Sequence, residues 1–148
     1  ADAIAALADV CAEDIPAAQE RILALLEEAD PAIRVAALRA LAKFAPAAET
    51  TRMRKRLFAA ADVDEARATL EVLRKIASPD SVEALAEYLR SVLPQSPFHD
   101  SVRVDALSAF GLATGNRWLE AGPHPEVYYL DQAKKAVSWW DEEKKSKK

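Results

Sequence analysis

The chain holds one cysteine, Cys11, and only three glycines in 148 residues. A single thiol cannot build an internal disulfide framework or a cysteine-based zinc site, and its plain reading is a small buried apolar residue. Gly111, Gly115 and Gly122 are scattered, so no glycine-rich loop is available to cradle a phosphate. The two histidines, His99 and His124, lack further ligands at helical spacing and imply no metal. No serine stands in a nucleophile-elbow context. The cluster Asp62-Val63-Asp64-Glu65 lacks the glycine and distal glutamate of a calcium loop, and acids at a helix start offset the helix dipole. No apolar stretch nears the ~20 residues of a membrane span. No run of alternating β-branched residues marks a strand. These gaps lead us to expect a protein that is not an enzyme and holds neither cofactor nor metal.

What is present favours helix. Ala, Leu, Glu, Lys and Arg dominate, and these side chains lose little entropy in a helix. A hydrophobic share of 51% is enough to bury a core. The formal charge is −4, unevenly spread: −4 over residues 1–45, +2 over 46–77, −3 over 78–115 and +1 over 116–148. The chain begins at Ala1 without Met, as expected of an N-terminus trimmed by signal-peptide removal or by choice of boundary. Our expectation is a cytoplasmic protein, with export after signal-peptide removal as the alternative.

Three segments recur. They are DPAIRVAALRALAKF from Asp30, DVDEARATLEVLRKI from Asp62 and HDSVRVDALSAFGLA from His99. The second follows the first at an offset of 32, aligning Leu38 with Leu70, Leu41 with Leu73 and Phe44 with Ile76. The third follows at 69, aligning Ile33 with Val102, Arg34 with Arg103 and Leu38 with Leu107. Between them lies a second set of helices opening at Pro16, Pro46 and Pro79, of which the middle member fits least well. Asp30-Pro31 and Ser78-Pro79 each put a capping oxygen before a proline whose missing N–H costs nothing at the first helical position. Gly115 is placed for a left-handed C-cap, and Pro94 and Pro97 bracket a longer loop, Leu93 to Phe98.

The spacing predicts inner core stripes of Ile33, Ala37, Ala40, Leu41 and Phe44, and of Val102, Ala106, Ala109 and Phe110. A single helix pair cannot bury its apolar face, so each repeat depends on the next. Ala1 to Glu13 is expected to be the second helix of an earlier pair, with Ile4, Leu7 and Val10 facing the array. At the other end Val127, Leu130, Ala133, Val137 and Trp140 form a predicted capping stripe. We expect one domain over residues 1–143 and a solvated tail over 144–148.

The motifs Val102-Arg103 to Ala106-Leu107 and Ile33-Arg34 to Ala37-Leu38 resemble HEAT repeats of the short bacterial kind, over roughly Asp14 to Ala113. The resemblance implies an all-α, right-handed α–α solenoid. It also implies that the arginine at Arg34 and Arg103 pairs with an acid of a neighbouring repeat. The middle repeat departs, with Ala66 at that position and Arg67 one step on. Thr114, Gly115, Trp139 and Trp140 are similar to a terminal pattern of bacterial HEAT-repeat proteins, in which a Trp-bearing helix closes the stack.

Aligned rungs on the inner helices are Val35, Arg67 and Val104; Arg39, Glu71 and Ser108; and Ala42, Arg74 and Gly111. With Lys43 and Lys75 they make a locally positive ridge on an acidic chain. The expectation is a protein-interaction scaffold, monomeric or part of a larger array, whose concave face takes an acidic or amphipathic segment through Arg39, Lys43, Arg67, Glu71, Arg74, Lys75 and Ser108. The alternative is a nucleic-acid-binding or DNA-glycosylase protein, since some HEAT-like proteins act on alkylated bases and others in bilin attachment. The stretch Arg52 to Arg56 could engage phosphates, but its simpler reading is an exposed outer face, and nucleic acid is not the expected partner. Trp118, Tyr128, Tyr129 and Trp139 are read as packing for the end cap, not as a stacking platform.

Overall fold

A computed structural model describes residues 2–7, 14–91 and 99–147. The expectations for Val10, Cys11 and the loop Leu93–Phe98 fall outside them, as do the side chains of Leu7 and His99. The protein is all-helical, with no strand among the described residues. In chain order the helices are α1 (Asp2–Leu7), α2 (Ile15–Leu25), α3 (Pro31–Phe44), α4 (Thr50–Phe58), α5 (Val63–Ile76), α6 (Pro79–Ser91), α7 (His99–Thr114) and α8 (Glu126–Ser146).

Local chemistry sets the helix ends. Asp30 accepts the Ala32 amide at 2.9 Å, Asp62 accepts the Glu65 amide at 2.8 Å and Ser78 accepts the Ser81 amide at 3.2 Å, each satisfying an N–H that the helix cannot pair itself. Pro46 does not open α4 directly. A 3₁₀ turn, Ala47–Glu49, comes first, which accounts for the late register of Met53 and Leu57. Gly115 takes the left-handed conformation expected of it, φ 73°. Ala45 and Ala77 end α3 and α5 in the same region, φ 46° and 50°, where a Cβ is strained.

The most extensive contacts between helices run from α3 to α5 and from α5 to α7, while α1 lies mainly on α3. A second series, α4 on α6 and α6 on α8, packs against the first. Leu38, Leu70 and Leu107 are all buried, as are Met53, Leu57, Ile22, Leu85 and Tyr88 from the helices between. Alanines 37, 40, 66, 68, 106 and 109 are buried between these rows, where a small side chain lets two helix axes approach. Ile33 and Phe44, expected in the core, are only half-buried.

Two expectations at the C-terminus need correction. Val127 departs from the predicted stripe, at 59% exposed, whereas Ala133 and Trp140 are buried as expected, together with Ala136, and Tyr129, Val137 and Trp139 pack beside them. The first turn is oriented by its tyrosines: Tyr128 accepts the Glu120 amide at 2.8 Å and stacks on His124, which turns Val127 outward. The helix also runs through Ser146, well into the segment read as a tail. Lys144 bonds to Glu83 at 2.8 Å, and the Trp140 indole donates to the same carboxylate at 2.6 Å.

Candidate interaction face

The exposed positions of α3, α5 and α7 form rows. Lys43, Lys75 and Leu112 occupy equivalent places, all exposed; Arg39, Glu71 and Ser108 form the next row. Val35 and Ala42 are buried on α3, whereas their counterparts Arg67 and Arg74 on α5 reach the surface. The ridge read from the sequence is therefore carried mostly by α5.

Of the seven residues expected to bind a partner, four come together. Arg67, Glu71, Arg74 and Ser108 line one depression of about 370 Å³ between α5 and α7, with Asp105 and Leu112 opposite. Arg67 Nε donates to Asp105 Oδ2 at 2.7 Å across the groove, and Arg74 Nε donates to Glu71 Oε2 at 2.8 Å along α5. The guanidinium of Arg74 holds the Glu71 carboxyl below the usual carboxylate range, and the Asp105 carboxylate raises Arg67. Arg39, Lys43 and Lys75 lie outside the groove. Lys43 and Lys75 sit in the last turns of α3 and α5, where a cation also complements the helix dipole.

A different pair carries the buried electrostatics. Arg34 Nε donates to Glu65 Oε1 at 2.9 Å from α3 to α5, and its Nη1 caps the carbonyls of Glu28 and Ala29 at 2.8 Å each. Glu65 is 4% exposed and stands where Ile33 and Val102 stand in the other repeats. The carboxyl is held below its ordinary range by the hydrogen bond from Arg34, against the cost of burial. Arg103 is equally buried and meets Glu126 at 3.5 Å. The signal for Glu65 was present in the alignment, as an acid in an apolar column. Ala66, at the arginine position of the middle repeat, is fully buried, and the contact to the next helix passes to Arg67.

No family model, curated protein or solved structure matches the chain.

The other basic stretch is engaged in packing. Arg52 and Arg56 both donate to Glu27 Oε1, at 2.6 and 2.8 Å, joining α4 to the end of α2. Arg54 pairs with Glu87 of α6 and lies 5.3 Å from the centroid of the Phe58 ring. Glu27 is consequently lowered by its bonds from Arg52 and Arg56. Three of the five residues from Arg52 to Arg56 thus face protein carboxylates, and Met53 is core.

The aromatic residues form two groups. Trp118 lies 5.8 Å from Trp139 and 6.2 Å from Phe110, closing the end of α7. His124, Tyr128 and Tyr129 pack together further along, with His124 and Tyr128 stacked at 3.9 Å. No helix of the described residues is long and apolar enough to cross a membrane, and none of them form a cluster of three or more metal-ligating side chains.

Proposed function

We propose that the protein is a non-catalytic interaction scaffold, a right-handed solenoid of HEAT-like helix pairs whose inner face receives an acidic or amphipathic segment of another protein. The observation that carries the reading is the convergence of Arg67, Glu71, Arg74 and Ser108 on one open groove between two helices of the repeating series. Serial packing of α3, α5 and α7, with equivalent leucines buried in each, supports the repeat architecture. A concave face built that way suits an extended segment, and cations on an acidic protein favour an acidic one. The engagement of Arg52, Arg54 and Arg56 by Glu27 and Glu87 weighs against a phosphate-tracking role for the most basic stretch.

The test compares three forms of the chain as bait in cross-linking capture: the native sequence, the groove variant Arg67→Glu/Arg74→Glu, and Lys134→Glu/Lys135→Glu as an α8 control. All three should share one circular-dichroism spectrum. A partner retained by the native chain and the control, with cross-links on α5 and α7, but lost from the Arg67/Arg74 variant, is the expected result. Equal retention by all three would remove the inner face as the site.

A further inference from the structure

We infer that the inner face is directional: it takes an extended acidic segment whose single bulky apolar side chain seats at the end of α7, with acids meeting α5 and then α3. This rests on the binding face proposed above and adds the partner's sequence pattern.

The face changes character from helix to helix. Between Pro31 and Phe44, α3 has no acidic residue and exposes Arg39 and Lys43. On α5 the same face is mixed, with Arg67 and Lys75 exposed and the paired Glu71 and Arg74 half-buried. On α7 the same row is Val104, Ser108 and Leu112, and Leu112 is 64% exposed, the most exposed large hydrophobic residue among those described. Positive charge at one end thus passes to apolar surface at the other. An occupant complementary to both must be acidic at one end and apolar at the other.

The apolar end is a built depression and not merely bare helix. A hollow of about 430 Å³ lies against Leu107, Gly111, Leu112, Trp118 and Leu119, within the size range of ligand pockets, about 300–1,000 Å³. Its wall exists because the chain doubles back after α7. The Asn116 amide donates to the Gly111 carbonyl at 3.0 Å, and a Cβ on Gly111 would stand 2.6 Å from the Asn116 oxygen. Only glycine admits that approach. Trp118 is then held over the pocket by Phe110 and Trp139. The hollow shares Ser108 and Leu112 with the charged groove, so the two are continuous.

Geometry fixes the spacing of the pattern. Packed helices lie about 8–10 Å apart and an extended chain advances about 3.3 Å per residue, so each helix takes roughly three residues of the partner. The apolar anchor should therefore be followed or preceded by acids about three and six positions away, opposite Arg74–Lys75 and Arg39–Lys43.

The experiment selects random twelve-residue peptides displayed on phage against the full chain at low salt. A synthetic copy of the most enriched peptide is then measured by fluorescence polarisation. Expected are sequences with one Leu, Phe or Trp and acids at those spacings. Their affinity should fall about tenfold or more in Leu112→Ser and in Arg39→Glu/Lys75→Glu. Val127→Ser removes an exposed hydrophobic residue on α8 and should leave it unchanged. Leu112 is exposed, so the fold should tolerate its loss; Leu112→Ala serves as a second variant should the serine not fold. If affinity in the Leu112 variants stays within about threefold of native while the charge reversal abolishes binding, the anchor is overturned and the face stands. An enriched set without acids overturns the directional pattern. If no peptide is enriched, or enriched peptides ignore both substitutions, the face and the pattern fall together.

Discussion

The two seams that join α3, α5 and α7 are built from equivalent helices yet held differently. Between α3 and α5 the pair, Arg34 with Glu65, is largely withdrawn from solvent, its side chains 14% and 5% exposed, and Arg34 also ties down two carbonyls in the turn after α2. Between α5 and α7 the pair is Arg67 with Asp105, whose side chains are 48% and 41% exposed. The difference arises from one position. Where α3 has Arg34, α5 has Ala66, and the arginine has moved one residue, about 100° around the helix, onto the solvent side. A buried carboxylate without its partner is strongly unfavourable, whereas an exposed pair is screened by water and salt. The first seam should matter to folding and the second to whatever binds.

The sharpest way to break the comparison is Arg34→Ala. It removes the charged partner of the buried Glu65 and leaves the Glu28 and Ala29 carbonyls without their donor, so it should cost more stability than any other change considered. Thermal melting should show a Tm lower by several degrees. A change under 1 °C would mean that the α3–α5 seam does not depend on this pair.

The same pair sets a pH dependence. The Glu65 carboxyl titrates below its ordinary value of 4.5 in the folded chain because Arg34 donates to it. A lowered folded value stabilises the fold above the ordinary value, and that contribution is lost as pH falls through the folded one. Stability should therefore decline below about pH 4.5, and Glu65→Gln should decline less over the same range. Urea titrations at pH 7 and pH 3.5 read both slopes. Identical acid losses in the two proteins would assign the effect to other carboxylates, Glu27 first among them.

Much of this was legible in the sequence. The 32-residue offset and the capping oxygens before Pro31 and Pro79 led to all-helical packing, while an acid opposite Arg34 was expected only from the resemblance to HEAT repeats. The outward row was legible too, because helical period and repeat offset together say which positions share a face. Side-chain partners were not: whether Arg67 reaches across to Asp105 or Arg74 back to Glu71 depends on rotamers and on the neighbouring helix. The hollow beside Trp118 was also hidden. It depends on a loop lying against Gly111, and a lone glycine in a helix gives no hint of what approaches it. Val127 failed because a stripe at helical spacing was continued into a turn whose orientation Tyr128 and Tyr129 determine.

The ends of the two helices flanking the first seam offer a smaller test. Ala45 and Ala77 stop α3 and α5 in the left-handed region, whereas α7 stops at Gly115. Relief of Cβ strain exceeds the added flexibility of glycine in the unfolded chain, so Ala77→Gly should stabilise by about 0.5–1 kcal/mol. A Tm below that of the native protein would show that the alanine is not strained. Ala77 is the better site, since Ala45 precedes a proline that restricts it further.

The smallest expected effect on folding is Arg67→Ala, and it decides what the second seam is for. The pair with Asp105 is exposed, so its removal should change stability by no more than about 0.5 kcal/mol, and added salt should shrink even that. The α5–α7 packing would persist through Leu70, Leu73, Leu107 and Phe110, which are buried in the common core. A side chain that contributes so little to the fold yet lines the groove makes a clean probe. If Arg67→Ala melts like the native chain but captures its partner more weakly, the arginine belongs to the binding face. If it costs as much stability as Arg34→Ala, exposure is not what separates the seams, and the groove between α5 and α7 is held open by the same kind of contact that closes the other.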